Sequence, residues 1–157
     1  MAKSATQTKP NFGSVLDMPA QDAERPPTLP RGYYTCIVQS YREDKSSQKQ
    51  TAFTEFSLKV IEPWEKNGEQ MVDVDELEEF GEVRDSVIST RFFHTEKSIY
   101  RLKEFLEHCG VDLSDGKSFK QAIPEAVNCQ VIAHIVHEPW QQGEGVSARV
   151  RSTAPVE

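Results

Sequence analysis

The segment TAFTEFSLKVI, residues 51–61, constrains the fold most. Ala52, Phe56, Leu58 and Val60 are apolar, while Glu55, Ser57 and Lys59 between them are polar. A period of two sends alternate side chains to opposite faces, so the segment is a strand with one face in a core and the other in water. Phe53 breaks the rule by standing on the polar face. Four further segments read as strands. Residues 32–41 (GYYTCIVQSY) are rich in aromatic and β-branched types, and residues 84–94 (RDSVISTRFFH) carry Ile88 and Phe92 on one face. Residues 128–138 and 146–151 complete the set, joined by the turn residues Pro139-Trp140-Gln-Gln-Gly-Glu-Gly.

One amphipathic helix lies between the third and fourth strands. Thr95 offers an N-cap, Gly110 a stop, and Ile99, Leu102, Leu106 and Cys109 an apolar stripe with Phe105 beside it. Arg101, Lys103, Glu104 and Glu107 face elsewhere. A second, short helix is compatible with residues 117–122, ahead of Pro124. The order strand, strand, strand, helix, strand, strand is that of the OB-fold, a small Greek-key barrel. The expected fold is therefore mainly β with one helix: a five-stranded OB-fold-like barrel over residues 32–151. Residues 152–157 read as a short tail. Five of the nine prolines fall in the first 30 residues, among Gln, Ser, Thr and Ala, so residues 1–31 read as a flexible arm. Its short apolar patch is Phe12, Val15, Leu16 and Met18.

The 157-residue chain carries 25 acidic and 18 basic residues, but seven of the acidic ones crowd into residues 69–82. The remaining 18 acidic residues balance the 18 basic ones, so a neutral body can still hold a basic groove. The acidic stretch reads as a solvated insertion beside that groove. A sharper reading makes it a mimic of a nucleic-acid backbone or a dock for basic replication proteins. Three widely spaced cysteines, Cys36, Cys109 and Cys129, argue against a disulfide framework. No apolar run suits a membrane helix or a signal peptide, so a cytoplasmic protein is expected. The four histidines lack metal-ligand spacing, and His134 and His137 point to opposite faces of a strand. No nucleophile motif or phosphate-binding loop is present, so neither catalysis nor a cofactor is expected.

Nucleic-acid binding fits better. Single strands are held by aromatic platforms for bases and cations for phosphates, and OB-folds use the face of strands two and three with the first and last hairpin loops. Phe53 and Lys59 stand on the outer face of the second strand, Arg91 and Phe93 on that of the third. The first loop offers Tyr41, Arg42, Lys45 and Lys49; the last hairpin offers Trp140, followed by Arg149 and Arg151. Each aromatic has a plainer role open to it, as a ring covered by the helix, the arm or a second subunit.

The segments LPRGYYTCIV, SSQKQ, FSLKVIE and YRLKEFLEHCGV resemble a family of small phage-encoded proteins, the single-stranded-DNA-binding-like proteins of replication and recombination modules. The matching stretches cover roughly residues 29–62 and 92–113. The resemblance implies an OB-like barrel that coats single-stranded DNA without sequence preference or catalysis, as an oligomer, in the host cytoplasm. Cellular single-strand binders often end in an acidic tail that recruits partners. This chain ends RVRSTAPVE, which would leave recruitment to the stretch 69–82. The competing expectation is a structural or protein-interaction module, a virion component or adaptor, using its aromatics to pack against protein.

Overall fold

A computed structural model describes residues 16–22, 28–141, 143 and 145–156. In chain order its elements are β1 (Gly32–Lys45), β2 (Ala52–Pro63), β3 (Glu65–Lys66), β4 (Glu69–Gln70), α1 (Val74–Phe80), β5 (Val87–Phe93), α2 (Ile99–His108), α3 (Phe119–Ala122), β6 (Gln130–Pro139) and β7 (Val146–Ala154). The five long strands form one antiparallel sheet in the order β5-β2-β1-β6-β7. Asn67, at positive φ, and Gly68 turn the small β3–β4 ribbon.

The period-two reading of β2 holds, because Phe56, Leu58 and Val60 are fully buried with Tyr34, Cys36, Val38, Val131, Ala133 and Ile135. Thr54 shares that face and is buried; its hydroxyl is bonded to His94 Nε2 at 2.7 Å. All three cysteines are free, and burial pushes the Cys36 and Cys109 thiols up to about 12, which makes them packing groups rather than nucleophiles. No helix among the described residues is long and apolar enough to cross a membrane.

The sheet differs from the expected barrel by staying open. β5 and β7 are its two edges, each paired on one side only. Helix α2 packs on both. Its Phe105 ring lies 4.7 Å from Phe56 and 5.0 Å from Phe92, and His108 Nδ1 meets Thr153 Oγ1 at 2.8 Å. β5 and β7 approach one another without a shared ladder, and the helix packs against both.

Among the described residues three helices stand where one main helix and a short second one over 117–122 were expected. The helix after β5 begins at Ile99, one turn later than Thr95 suggested, because Thr95 first closes a turn onto Ser98 and Ile99. Helix α3 carries a capping box between Ser118 and Gln121. The acidic stretch is also not a solvated loop. Asp73 caps α1 by accepting from Glu76 N, and Leu77 and Phe80, three apart, pack on the core.

The proposed arm and tail boundaries both move. Leu29 and Pro30 are buried, and Tyr34 Oη donates to Pro30 O at 2.7 Å. Arg31 grips Glu76 with its backbone N–H and its guanidinium, which holds the Glu76 carboxyl below its usual range, and Asp73 stands 3.7 Å away. Residues 28–31 thus belong to the body. The rest of the arm reading, residues 1–15 and 23–27, lies outside the described residues; Leu16 and Met18 are exposed. At the other end Ser152–Ala154 extend β7 rather than forming a tail.

Gly32 is where the ribbon crosses β1. Its φ is +144°, and a Cβ there would stand 2.5 Å from Val72 Cα and 2.6 Å from Met71 O. Both neighbours are backbone and cannot step aside. The Gly32→Ala variant is expected to lose about 2 kcal/mol or more, roughly 6 °C or more in Tm, by thermal unfolding. An unchanged Tm would mean that the crossing is not formed.

Candidate nucleic-acid interface

The gap between the two sheet edges is a cleft of about 810 Å³. β5 forms one wall from Ser89 to Phe93, β7 the other from Arg149 to Thr153, and α2 the floor through Tyr100, Arg101, Glu104, Phe105 and His108. Four arginines, Arg91, Arg101, Arg149 and Arg151, line it against two glutamates, Glu55 and Glu104. On a chain of net charge −7, this is a local cationic focus.

The wall cations are not equivalent. Arg91 is committed: its guanidinium lies 4.1 Å from the centre of the Phe53 ring and donates to Glu55 Oε2 at 3.2 Å. Arg42 approaches the same ring at 5.4 Å and donates to Glu55 Oε1 at 2.8 Å. Cross-strand register makes this cluster, since Glu55 stands opposite both Arg42 and Arg91, and Phe53 opposite Phe93. Arg149 reaches Glu138 at 3.5 Å. Arg151 and Arg101 have no carboxylate ion pair among the described residues. Arg101 Nε sits 3.4 Å from Tyr100 Oη, a contact that raises the Arg101 pKa.

Two aromatics border the cleft with exposed rings, Phe93 at 36% and Tyr100 at 51%. A planar guanidinium matches a phosphate in a bidentate fork, and an exposed ring offers a face to any base. The arrangement is chemically suited to an extended polyanion that carries flat groups.

Of the residues expected to bind, Arg91, Phe93, Arg149 and Arg151 come together here. Arg42 and Phe53 lie just outside, and Phe53 is corrected from an open platform to a buried ring, 2% exposed, covered by two guanidiniums and set edge-on to Phe93 at 5.7 Å. Lys59 is on the same sheet face but bonded to Asp85 at 3.4 Å. Tyr41, Arg42 and Lys45 belong to β1, which runs further than expected, and only Lys49 sits in the loop. Tyr41 pairs with Phe56 and so stands on the other face of the sheet. None of residues 69–82 lines the cleft.

Trp140 is also outside the cleft. Its indole covers Gly145, where a Cβ would stand 2.3 Å from the ring, and its Nε1–H donates to Ser147 Oγ at 3.0 Å. The ring braces the β6–β7 hairpin. Trp140→Ala is expected to lower Tm yet leave single-strand affinity within about twofold, where loss of a stacking ring would weaken it about fivefold or more. Thermal unfolding and anisotropy on one sample measure both, and a fivefold loss of affinity would return Trp140 to the interface.

Tyr100 and Arg101 were missed in the sequence. Their signal was negative: they fall off the apolar stripe of the helix. No protein-family model matches the chain, and no curated protein does. The geometry of the cleft therefore carries the functional reading.

Proposed function

We propose that the protein is a non-catalytic binder of single-stranded DNA, of low sequence specificity, whose cleft between β5 and β7 tracks the sugar–phosphate backbone. The observation that carries this reading is the convergence of four arginines and two exposed rings on one open seam. Arg151, Arg149 and Arg101 contact phosphates, and bases lie on Phe93 and Tyr100. Arg91 shifts from Glu55 to a phosphate when the strand arrives.

The fold supports the same reading. Taken alone, the five long strands follow the order of an OB-like Greek key with its third and fifth strands left unpaired, and α2 sits between the third and the fourth. On the resemblance noted in the sequence, the proposal extends to DNA replication or recombination of a phage, with the host cytoplasm as its compartment and assembly into oligomers. The acidic helix α1, outside the cleft, is the candidate dock for basic replication or recombination proteins.

A second reading has its own observation. Two unpaired strand edges facing one cleft could accept an extended peptide by main-chain pairing, which would make the protein an interaction module. Anisotropy of a labelled oligo-dT of about 30 nucleotides separates the two. Saturable binding that unlabelled single strands compete, and that excess duplex competes weakly, supports the DNA reading. No binding at low salt moves the cleft to a peptide partner.

A further inference from the structure

A column of flat groups crosses the outer face of the sheet and ends at the β7 edge of the cleft. Tyr33 on β1 stands opposite His134 on β6, and the two rings are stacked, with centres 4.2 Å apart and planes 5° from parallel. Trp64, just beyond β2, packs on the Tyr33 side at 5.9 Å with its plane tilted by 56°. All three rings are half-buried, so part of each meets solvent.

On the other side comes β7. The β6–β7 ladder slips between His134 and Ile135: His134 pairs with Ser152, Ile135 pairs with Val150, and Arg151 is left as the extra residue. That bulge sets Arg151 beside His134, and its positive charge, after burial, helps to lower the His134 pKa. Arg151 also lines the cleft. One guanidinium is thus shared between the cleft and the column.

The column is not explained by the core. Tyr34, the next residue, points inward and is fully buried, whereas Tyr33, His134 and Trp64 lie on the opposite face, outside the core cluster. Tyr33 covers one face of the imidazole, and across the ladder on β7 stands the small Ser152, with Arg151 next to it. A ring beside a small side chain and a guanidinium suits a stacked base, with the phosphate of that nucleotide on the cation.

We propose that His134, backed by Tyr33 and Trp64, forms a second base-stacking surface, onto which a single strand leaving the cleft passes at Arg151. The proposal rests on the DNA reading of the cleft and adds a direction to it, across β7 toward β6. Charge complementarity at Arg151 and continuity with the cleft identify the occupant as the same strand.

The test uses the full chain carrying Trp140→Phe, so that Trp64 is the sole tryptophan, titrated with dT oligonucleotides of about 4 and about 15 nucleotides. The long oligonucleotide is expected to quench Trp64 and the short one, held in the cleft, to leave it bright. In the same background, Tyr33→Leu and His134→Leu keep apolar bulk on the strand and remove the ring. Each is expected to weaken the long oligonucleotide roughly tenfold and the short one by less than about twofold, with thermal unfolding used to show that the variants are folded. Should one variant not fold, the other and the Trp64 signal still decide. Unchanged affinity for the long oligonucleotide together with an unquenched Trp64 would overturn the second surface and leave the cleft intact. Absence of binding by either length would overturn both.

Discussion

Replacing Arg149 and Arg151 together by Gln is expected to weaken binding of a 30-nucleotide dT about 100-fold at low salt. On the proposed function each arginine would make a charge-assisted bond to phosphate worth about 1.5–3 kcal/mol, so loss of two removes about 3 kcal/mol or more. The variant should also flatten the salt dependence, because each phosphate contact on a single strand contributes about 0.7 to the slope of log K against log salt. Gln keeps the hydrogen-bonding stem and spares Glu138 a like-charged neighbour. Arg149 is half-exposed, Arg151 is exposed, and neither belongs to the core cluster, so folding should survive. Lys59→Gln is the control. Lys59 carries the same charge but pairs with Asp85 outside the cleft, and its loss should change affinity about twofold or less. Equal losses in the two variants would mean diffuse attraction to the surface rather than a cleft.

Phe105→Ala is expected to have the largest effect on stability. The ring is 1% exposed and wedged between Phe56 and Phe92, on the helix that packs against both sheet edges. Removing it forfeits burial and leaves a cavity, at a cost of about 3–5 kcal/mol. For a chain of this size that is on the order of 10–15 °C in Tm, enough to unfold a marginal domain. Phe105→Leu, which conserves most of the volume, should cost about 1–1.5 kcal/mol. Urea unfolding measures both. An unchanged midpoint for the Ala variant would show that α2 is not packed between β5 and β7.

The strands were legible because alternation survives in a single sequence, and Phe56, Leu58 and Val60 announce a buried face without help from their neighbours. The main helix was legible for the same reason at period 3.6. Its partners were not. Phe53 looked like an open ring because its parity placed it on the wet face, and only the register that sets Arg91 and Arg42 over it explains its burial. Register also decided which cations were spoken for, pairing Arg42 and Arg91 with Glu55. In the acidic stretch the charges masked a one-sided pair, Leu77 and Phe80, and a good cap at Asp73, so a helix read as a loop.

The open seam was the least legible feature. Strand order names which strands are neighbours, but closure depends on whether the two end strands hydrogen-bond, and here β5 and β7 come near each other without pairing. That is also why Tyr100 and Arg101 went unnoticed: the sequence placed them off the core face, and only the opening between β5 and β7 turns that position into the floor of a cleft. Trp140 erred in the opposite direction, since a tryptophan at a turn suggested a platform and the turn glycine proved to be its packing partner.

The most direct test of the central claim is the affinity of the unmodified protein for labelled oligo-dT, measured by anisotropy between about 50 and 200 mM salt. With three to four arginines on phosphates, the slope of log K against log salt should fall between roughly −2 and −3. Binding that is absent at 50 mM, or present with a slope near zero, would contradict a cleft that holds single strands by their phosphates.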